Sequence, residues 1–80
     1  MPYFVYLLRC KDETIYTGIT TNLERRLQEH RDGKGGSYTR SRGAKKIIYS
    51  EKHSTRSAAL KREFEIKSWK REKKLALINR

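Results

Sequence analysis

Two apolar runs near the start of the chain limit its possible folds more than any other feature. They are Tyr3–Cys10 and Thr14–Thr20, both rich in aromatic and β-branched residues, and three polar residues at positions 11–13 separate them. Runs of this length and composition around a short polar break are typical of a β-hairpin. We therefore predict two antiparallel strands joined by a three-residue loop.

This hairpin determines which residues share a face of the sheet. Because antiparallel partners keep a constant sum of residue numbers, a three-residue loop pairs Tyr6 with Gly18. The same register pairs Leu8 with Tyr16. The two tyrosines then project from one face beside a bare glycine, where a phosphate or a sugar can approach the backbone in a shallow depression. Two other interpretations stay open: the tyrosines only pack, or a one-residue shift of register puts them on opposite faces.

The chain is strongly basic for its size. Its 80 residues predict one domain over residues 1–80, and the formal net charge is +11 at pH 7. Residues 1–40 contain seven basic and five acidic side chains, whereas residues 41–80 contain thirteen and four. A charge this large favours nucleic acid as the partner, with binding that weakens as salt rises. A basic face that only keeps the protein in solution is the alternative.

The cysteine and histidines indicate neither a disulfide nor a zinc site. Cys10 has no second cysteine to pair with, and together with His30 and His53 it does not make a zinc-ligand set. The first apolar run is too short to span a membrane, and no cleavage site follows it. We expect a reducing, cytoplasmic location and no membrane partner.

A helix is predicted directly after the hairpin. Thr21 and Glu24 have the spacing of a capping box, and Asn22 is a second candidate for the N-cap. The helix should continue to about Arg31 and end before Gly33.

One side of this helix carries both apolar and ionisable residues. Leu23, Leu27 and His30 lie on one stripe at i, i+4 and i+7, and Arg26 lies at its edge near the core boundary. The residues alone also allow an ordinary interpretation, in which Arg26 is an exposed arginine whose stem covers apolar surface. In the same interpretation His30 is a histidine that packs at the core boundary.

Residues 32–44 contain four glycines and predict an irregular loop. Tyr38 offers a stacking surface there, and Arg40 and Arg42 supply positive charge. These features favour contact with single-stranded nucleic acid, and a flexible solvated connection is the alternative.

The second half of the chain predicts a third strand and two helices. Lys45–Lys52 has the alternation of a strand, and Ser54 or Thr55 can cap the helix that follows. The segment 70–78 reads as a short basic amphipathic helix that packs Leu75 and Ile78. We expect the long helix to bury an apolar face made of Ala58, Ala59, Leu60, Phe64, Ile66 and Trp69.

Glu63 falls among the apolar residues of that helix, whereas Glu65 points to water. A carboxylate in such a place is costly unless a cation or proton donor meets it. Lys67, four residues later, is one candidate partner and a metal ion is the other. The ordinary interpretation is a Glu–Lys pair worth about 0.3–0.5 kcal/mol.

Several segments together resemble the GIY-YIG nuclease superfamily. This superfamily includes homing endonucleases and the N-terminal nuclease domain of the bacterial repair excinuclease. The chain is most similar to its small single-domain bacterial branch. It departs from the family pattern at Phe4, at Thr17 and at the late asparagine, for which only Asn79 is available. The resemblance covers about residues 3–78 and is carried by Phe4-Val5-Tyr6, Tyr16-Thr17-Gly18, residues 22–30 and residues 59–67.

The resemblance implies an α+β fold, a three-stranded antiparallel sheet flanked by helices in the order β-β-α-β-α-α. It also implies that Arg26 is the catalytic arginine and that Glu63 binds the divalent metal. The chain lacks the convergent carboxylates of a two-metal site, so we expect one Mg²⁺ or Mn²⁺ ion. Tyr6, slightly preferred over Tyr16, should act on the attacking water, with nearby cations favouring its phenolate, and His30 should assist by accepting a proton.

The functional prediction is a metal-dependent endonuclease, with DNA favoured over RNA and a role in repair or recombination. We expect a monomer that uses a protein partner for targeting. A basic nucleic-acid-binding module without catalysis is the main alternative, and a structural protein docked on RNA is a weaker one. The predicted substrate-binding residues are Gly18, Tyr38, Arg40, Arg42 and Lys67.

Overall fold

The computed structural model describes residues 1–78, and its elements appear in the predicted order with one addition, the short helix α2. In no part of that range is there a helix with the length and apolar character needed to cross a membrane. The elements are β1 (Tyr3–Cys10), β2 (Ile15–Thr20), α1 (Leu23–Arg31), α2 (Ser37–Arg42), β3 (Ala44–His53), α3 (Arg56–Lys67) and α4 (Arg71–Ala76).

The three strands form one antiparallel sheet with the order β2-β1-β3. The hairpin has the predicted register: Tyr6 is paired with Gly18, and Leu8 is paired with Tyr16. The alternative of a one-residue shift is therefore wrong. This sheet confirms the predicted fold class, and it leaves β2 and β3 as its two edges.

Helices cover both faces of the sheet because β1 is apolar on both sides. On one face α3 packs on a cluster of buried residues, and on the other face α1 contributes Leu23 and Leu27. The first cluster contains Val5, Leu7, Ala59, Ile66 and Leu77; the second contains Tyr6, Leu8 and Ala44. The second cluster contains Tyr6, and the partly buried Tyr16 packs against it, so the two tyrosines lie where this cluster meets the surface.

Helix α1 begins and ends close to the predicted positions. Asn22 is the N-cap, because its side-chain oxygen accepts a hydrogen bond from the Arg25 backbone N–H at 3.0 Å. The cap is thus the second of the two candidates, and the capping box on Thr21 does not form. The helix ends at Arg31 as expected.

The segment predicted as an irregular loop contains helix α2, so this prediction is wrong in part. The six residues of α2 lie between Gly36 and Gly43, whose φ angles are +112° and +76°. Glycine adopts such angles without strain, so Gly36 and Gly43 allow the chain to turn into α2 and out of it. The buried Thr39 of α2 anchors the helix to the rest of the protein.

Helix α3 is capped by Thr55, whose hydroxyl accepts a hydrogen bond from Ala58 N–H at 3.1 Å. It ends at Lys67, so Trp69 lies beyond the helix rather than on its apolar face. Trp69 is half-buried and still packs against the core cluster that α3 contacts, and its ring also contacts two cations, with Arg62 Cζ 5.1 Å and Lys73 Nζ 4.5 Å from its centroid.

The predicted apolar face of α3 is correct only in part. Ala59 and Ile66 are fully buried, but Phe64 is 79% exposed and Leu60 also lies at the surface. The buried stripe follows positions 59, 63 and 66 at i, i+4 and i+7, which places Glu63 rather than Phe64 against the sheet.

Helix α4 is shorter than predicted and packs through a different residue. Leu77, directly after the helix, joins the core, and Leu75 is half-buried. Ile78 is exposed, so its predicted role in packing is wrong. Asn79, the late asparagine of the family pattern, lies outside the described residues.

Candidate active site

The two tyrosines of the hairpin lie side by side above Gly18. Their ring centroids are 6.3 Å apart, with Tyr6 fully buried and Tyr16 half-buried. A Cβ atom at Gly18 would lie 2.7 Å from the Tyr6 phenol oxygen and 2.9 Å from Tyr16 Cε2. The predicted open depression is therefore filled by the phenols, and the glycine is required because the rings occupy the space of a side chain.

Tyr6 begins a buried hydrogen-bond chain that runs through α1 into α2. Its phenol oxygen is 2.8 Å from His30 Nε2, and His30 Nδ1 is 2.8 Å from Thr39 Oγ1. Thr39 donates its own proton to the Gly36 carbonyl at 3.5 Å, so its oxygen is available to accept from Nδ1–H. This assignment leaves Nε2 as the acceptor of the Tyr6 proton.

The surroundings of Tyr6 hold it in the neutral form. Burial raises the pKa of Tyr6 to about 12; Arg26 lowers it, and the negative charges of Tyr16 and Glu63 add to the rise. Arg26 favours the phenolate, as expected of a nearby cation, but burial has the larger effect on the pKa of Tyr6. Burial, followed by the positive charge of Arg26, lowers the pKa of His30. The pair therefore favours a neutral phenol and a neutral imidazole.

Arg26 lies at the core boundary, as its position on the helix predicts. Its side chain is 28% exposed, and its Nη1 donates to Glu29 Oε1 at 3.0 Å. Its Nη2 donates to the Gly35 carbonyl at 3.5 Å. Glu29, one turn later on α1, thus keeps the guanidinium beside Tyr6, where it can meet an anionic group.

Glu63 is the sheltered carboxylate that the helical periodicity predicts. Its side chain is 18% exposed, compared with 56% for Glu65 on the same helix. Lys67 Nζ lies 3.4 Å from Glu63 Oε2, so the predicted intrahelical pair is present. Glu63 is also close enough to Tyr6 to raise the pKa of the phenol. Glu63 is therefore within electrostatic range of Tyr6, although α3 packs on the opposite face of the sheet from the tyrosine rings.

The donor atoms of the site suit a hard, hydrated cation. One carboxylate and neighbouring phenol oxygens match Mg²⁺ or Mn²⁺, which accept oxygen ligands and keep several waters. Residues 1–78 contain no group of three or more His, Cys, Asp or Glu side chains arranged to hold a metal. Glu63 therefore suits a single ion that has few protein ligands, and the described residues do not suit a metal held by three or more such side chains.

The predicted substrate-binding residues of α2 separate into two groups. Tyr38 lies beside Tyr16, with ring centroids 5.6 Å apart, and the Arg42 guanidinium lies 4.4 Å from the Tyr38 centroid. Arg42 also pairs with Asp12 at 2.9 Å. Arg40 projects from the other side of α2, so the structure does not bring it to the tyrosines.

Lys67 joins Tyr16 and Tyr38 in lining one groove, whereas Gly18 lies beneath the rings. Sequence reasoning missed Thr39 and Glu29, which hold His30 and Arg26 in place. The spacing of Glu29 from Arg26 was a signal for their i, i+3 pair. Nothing local marks Thr39, because its contact with His30 depends on the path of residues 32–36.

The fold and this site agree with the comparison to known proteins. The family model described as the GIY-YIG catalytic domain matches residues 2–76, and the chain belongs to that family. This confirms the resemblance found in the sequence and defines the class as a nuclease family.

Its individual relatives are small proteins named UPF0213, a name that states no activity. The chain is similar to the UPF0213 protein of Haloquadratum walsbyi, with 52% identity over 75 residues, 94% of this chain and 84% of the relative. It is also similar to the solution NMR structure of the UPF0213 protein from Bacillus halodurans, with a TM-score of 0.62 and 39% identity. A protein from E. faecalis gives a TM-score of 0.66 and 39% identity. The alignments cover 99% of this chain and 84% of each solved chain.

Proposed function

We propose that the protein is an endonuclease that hydrolyses nucleic-acid phosphodiester bonds with the help of one divalent metal ion. The observation that carries this proposal is the sheltered carboxylate of Glu63, whose charge acts on Tyr6, together with the guanidinium of Arg26, which acts on the same phenol. A carboxylate and a guanidinium are the groups needed to hold a cation and a phosphate in one place.

Glu63 is the proposed metal ligand. When bound there, Mg²⁺ or Mn²⁺ supplies positive charge for the scissile phosphate and the leaving 3′-oxygen. Lys67 pairs with the same carboxylate in the protein alone, and it is free to turn toward a phosphate once the carboxylate has another cation.

Arg26 is proposed to bind the non-bridging oxygens of the scissile phosphate. Its fork of donors matches two phosphate oxygens, and its charge offsets the negative charge that develops in the transition state. Glu29 supports this role because it fixes the guanidinium without removing it from the surface.

A tyrosine is proposed to accept the proton of the attacking water, and the geometry favours Tyr6 over Tyr16. Tyr6 can pass its own proton to His30 Nε2, 2.8 Å away, while it accepts one from the water. This transfer avoids a free phenolate, which the burial of Tyr6 makes unfavourable. Thr39 keeps the imidazole in the required tautomer by accepting from Nδ1–H.

We further propose DNA as the substrate, in repair or recombination, because the resemblance includes homing endonucleases and the bacterial repair excinuclease. A partner protein is proposed to deliver the substrate to a monomeric, cytoplasmic enzyme. The net charge of +11 supports binding of nucleic acid of either kind.

The test compares wild type with Glu63→Gln and with a matched control, Glu65→Gln, on the same helix. Each protein is incubated with single-stranded, duplex and branched DNA and RNA in Mg²⁺, Mn²⁺ or EDTA, and both cleavage and binding are followed. Wild type and Glu65→Gln should cut only with metal, and Glu63→Gln should bind without cutting.

A binding module without catalysis is the second candidate, and the ion pair between Glu63 and Lys67 favours it because it satisfies the carboxylate without a metal. Tight binding by wild type with no metal-dependent cut on any substrate would support this candidate and contradict the nuclease proposal.

A further inference from the structure

Strand β2, one of the two edges of the sheet, has a basic groove at each end. The tyrosine groove, about 310 Å³, is lined by Tyr16, Tyr38, Lys67 and Lys74 together with the start of β2. The arginine groove, about 300 Å³, lies at the end of β2 and is lined by Arg25, Arg26 and Arg56 among others. Two of the proposed catalytic groups line these grooves: Tyr16 lines the tyrosine groove and Arg26 lines the arginine groove.

Two lysines face the same space in the tyrosine groove. Lys74 has no ion pair among residues 1–78, and Lys67 has only Glu63. Burial, followed by the charge of Lys67, lowers the pKa of Lys74, so the two ammonium groups act on each other. Two cations held close together in a groove are stabilised by an anion between them.

The arginine groove also has an excess of positive charge. Glu29 lies 3.0 Å from Arg26 and 3.9 Å from Arg25, so one carboxylate serves two arginines. Arg56, the first residue of α3, adds a third cation and forms no ion pair within the described part of the chain. The groove therefore has charge available for a phosphate besides the one proposed to bind Arg26.

The grooves are in line with the strand between them. The six residues of β2 make five steps of about 3.3 Å, so the two ends of the strand are about 17 Å apart. Lys67 and Lys74 lie near the start of β2, and Arg25 and Arg56 lie near its end, so one phosphate backbone that follows the strand can contact both pairs. Tyr38, 38% exposed at one end of the row, offers an aromatic surface to an unpaired base.

We propose, on the basis of the nuclease function argued above, that the edge of β2 is the track for a single strand of nucleic acid. Lys74 and Lys67 bind a phosphate on one side of the scissile bond, and Arg56 and Arg25 bind one on the other side. Lys74 and Arg56 are binding residues that the sequence analysis did not single out.

The test uses Lys74→Gln and Arg56→Gln, with Lys46→Gln as the matched control. Lys46 is an exposed lysine on β3, the opposite edge of the sheet. The probe is a fluorescently labelled single-stranded DNA in EDTA, titrated at several salt concentrations so that binding is measured without cleavage. The slope of log Kobs against log salt should become shallower by about 0.7 for each phosphate that is no longer neutralised. Lys46→Gln should keep the wild-type slope.

Three results would overturn the track. Slopes for Lys74→Gln and Arg56→Gln that equal the wild-type slope would show that Lys74 and Arg56 bind no phosphate. A slope for Lys46→Gln that falls as much as the others would show that binding is spread over the whole surface. Tighter binding to duplex than to single strands would contradict the single-strand assignment.

This experiment separates the track from the nuclease proposal. Glu63→Gln should bind with the wild-type slope and fail to cut. If Lys74→Gln and Arg56→Gln bind with shallower slopes while wild type cuts nothing, the track is supported and the nuclease proposal fails. If wild type cuts with metal and both variants bind as wild type does, the nuclease proposal is supported and the track fails.

Discussion

Tyr6, His30 and Thr39 form a buried chain in which each side chain depends on the next. Removing one member leaves a buried neighbour without its hydrogen-bond partner. Such a loss costs about 1–3 kcal/mol for each neutral polar group. The same three residues are proposed to move a proton, so structural and chemical effects of mutation must be measured separately.

Tyr6→Phe should affect both stability and activity. The variant leaves His30 Nε2 without its partner, and we expect the free energy of unfolding to fall by about 1–3 kcal/mol. Urea unfolding gives this value, and cleavage rates give the effect on activity. Tyr16→Phe is the control for stability, because Tyr16 is only half-buried and should change unfolding by about 0.5 kcal/mol or less. Full cleavage by Tyr6→Phe would exclude Tyr6 as the proton acceptor.

Stability should decrease on the acid side because His30 is buried and neutral. Its pKa is lowered in the folded protein, so below about pH 6.5 the unfolded chain binds a proton that the folded one does not. The free energy of unfolding is therefore expected to fall as the pH drops from about 6.5 toward the lower folded-state pKa.

Urea unfolding between about pH 5 and 8 measures this dependence, at roughly half-unit steps. His30→Gln should flatten the profile. An unchanged profile in His30→Gln would assign the acid effect to other groups.

In helix α3, tertiary packing decides which of the apolar residues are buried. Ile66 and Phe64 are two positions apart and both apolar, but only Ile66 is buried. We expect Ile66→Ala to lower the free energy of unfolding by about 2–5 kcal/mol, because it opens a cavity in the core. Phe64→Ala should change it by about 0.5 kcal/mol or less. Comparable losses in the two variants would contradict the orientation of the helix.

Helix α2 acts as a support for His30. A Cβ atom at Gly35 would overlap with His30 Nδ1, so Gly35→Ala must displace the imidazole. We expect a loss of about 1–3 kcal/mol in unfolding free energy together with slower cleavage. Ser37→Ala, at an exposed position of the same segment, is the control. Wild-type cleavage by Gly35→Ala would show that the position of His30 does not matter for the reaction.

What the sequence predicts well depends on local rules. The register of the hairpin follows from the length of its loop, and the sheltered position of Glu63 follows from helical spacing, so both are correct. The position of Phe64 and the path of residues 32–44 depend on which neighbours are present in three dimensions. Thr39 becomes important only because the chain turns at Gly35 and Gly36 and returns to His30. The prediction of a depression at Gly18 was wrong, because the spacing of residues along the strands does not show that the rings of Tyr6 and Tyr16 fill that space.

At the scale of the whole molecule, the net charge of +11 is expected to make binding sensitive to salt. If three phosphates are neutralised along β2, the scissile one and one on each side of it, raising the salt from about 50 to 200 mM should weaken single-strand binding about 18-fold. Titrations of wild type in EDTA at these two salt concentrations measure the ratio, and Lys46→Gln should give the same value. A ratio below about sevenfold would mean that fewer than two phosphates are neutralised.

The other edge of the sheet has a different consequence. Strand β3 exposes an unpaired backbone edge, which in a small sheet invites a second molecule to add its own strands. Its exposed Lys45, Lys46 and Lys52, together with register irregularities against β1, oppose such growth. We therefore expect that replacing these lysines with uncharged β-forming residues increases aggregation, which light scattering at equal protein concentration measures.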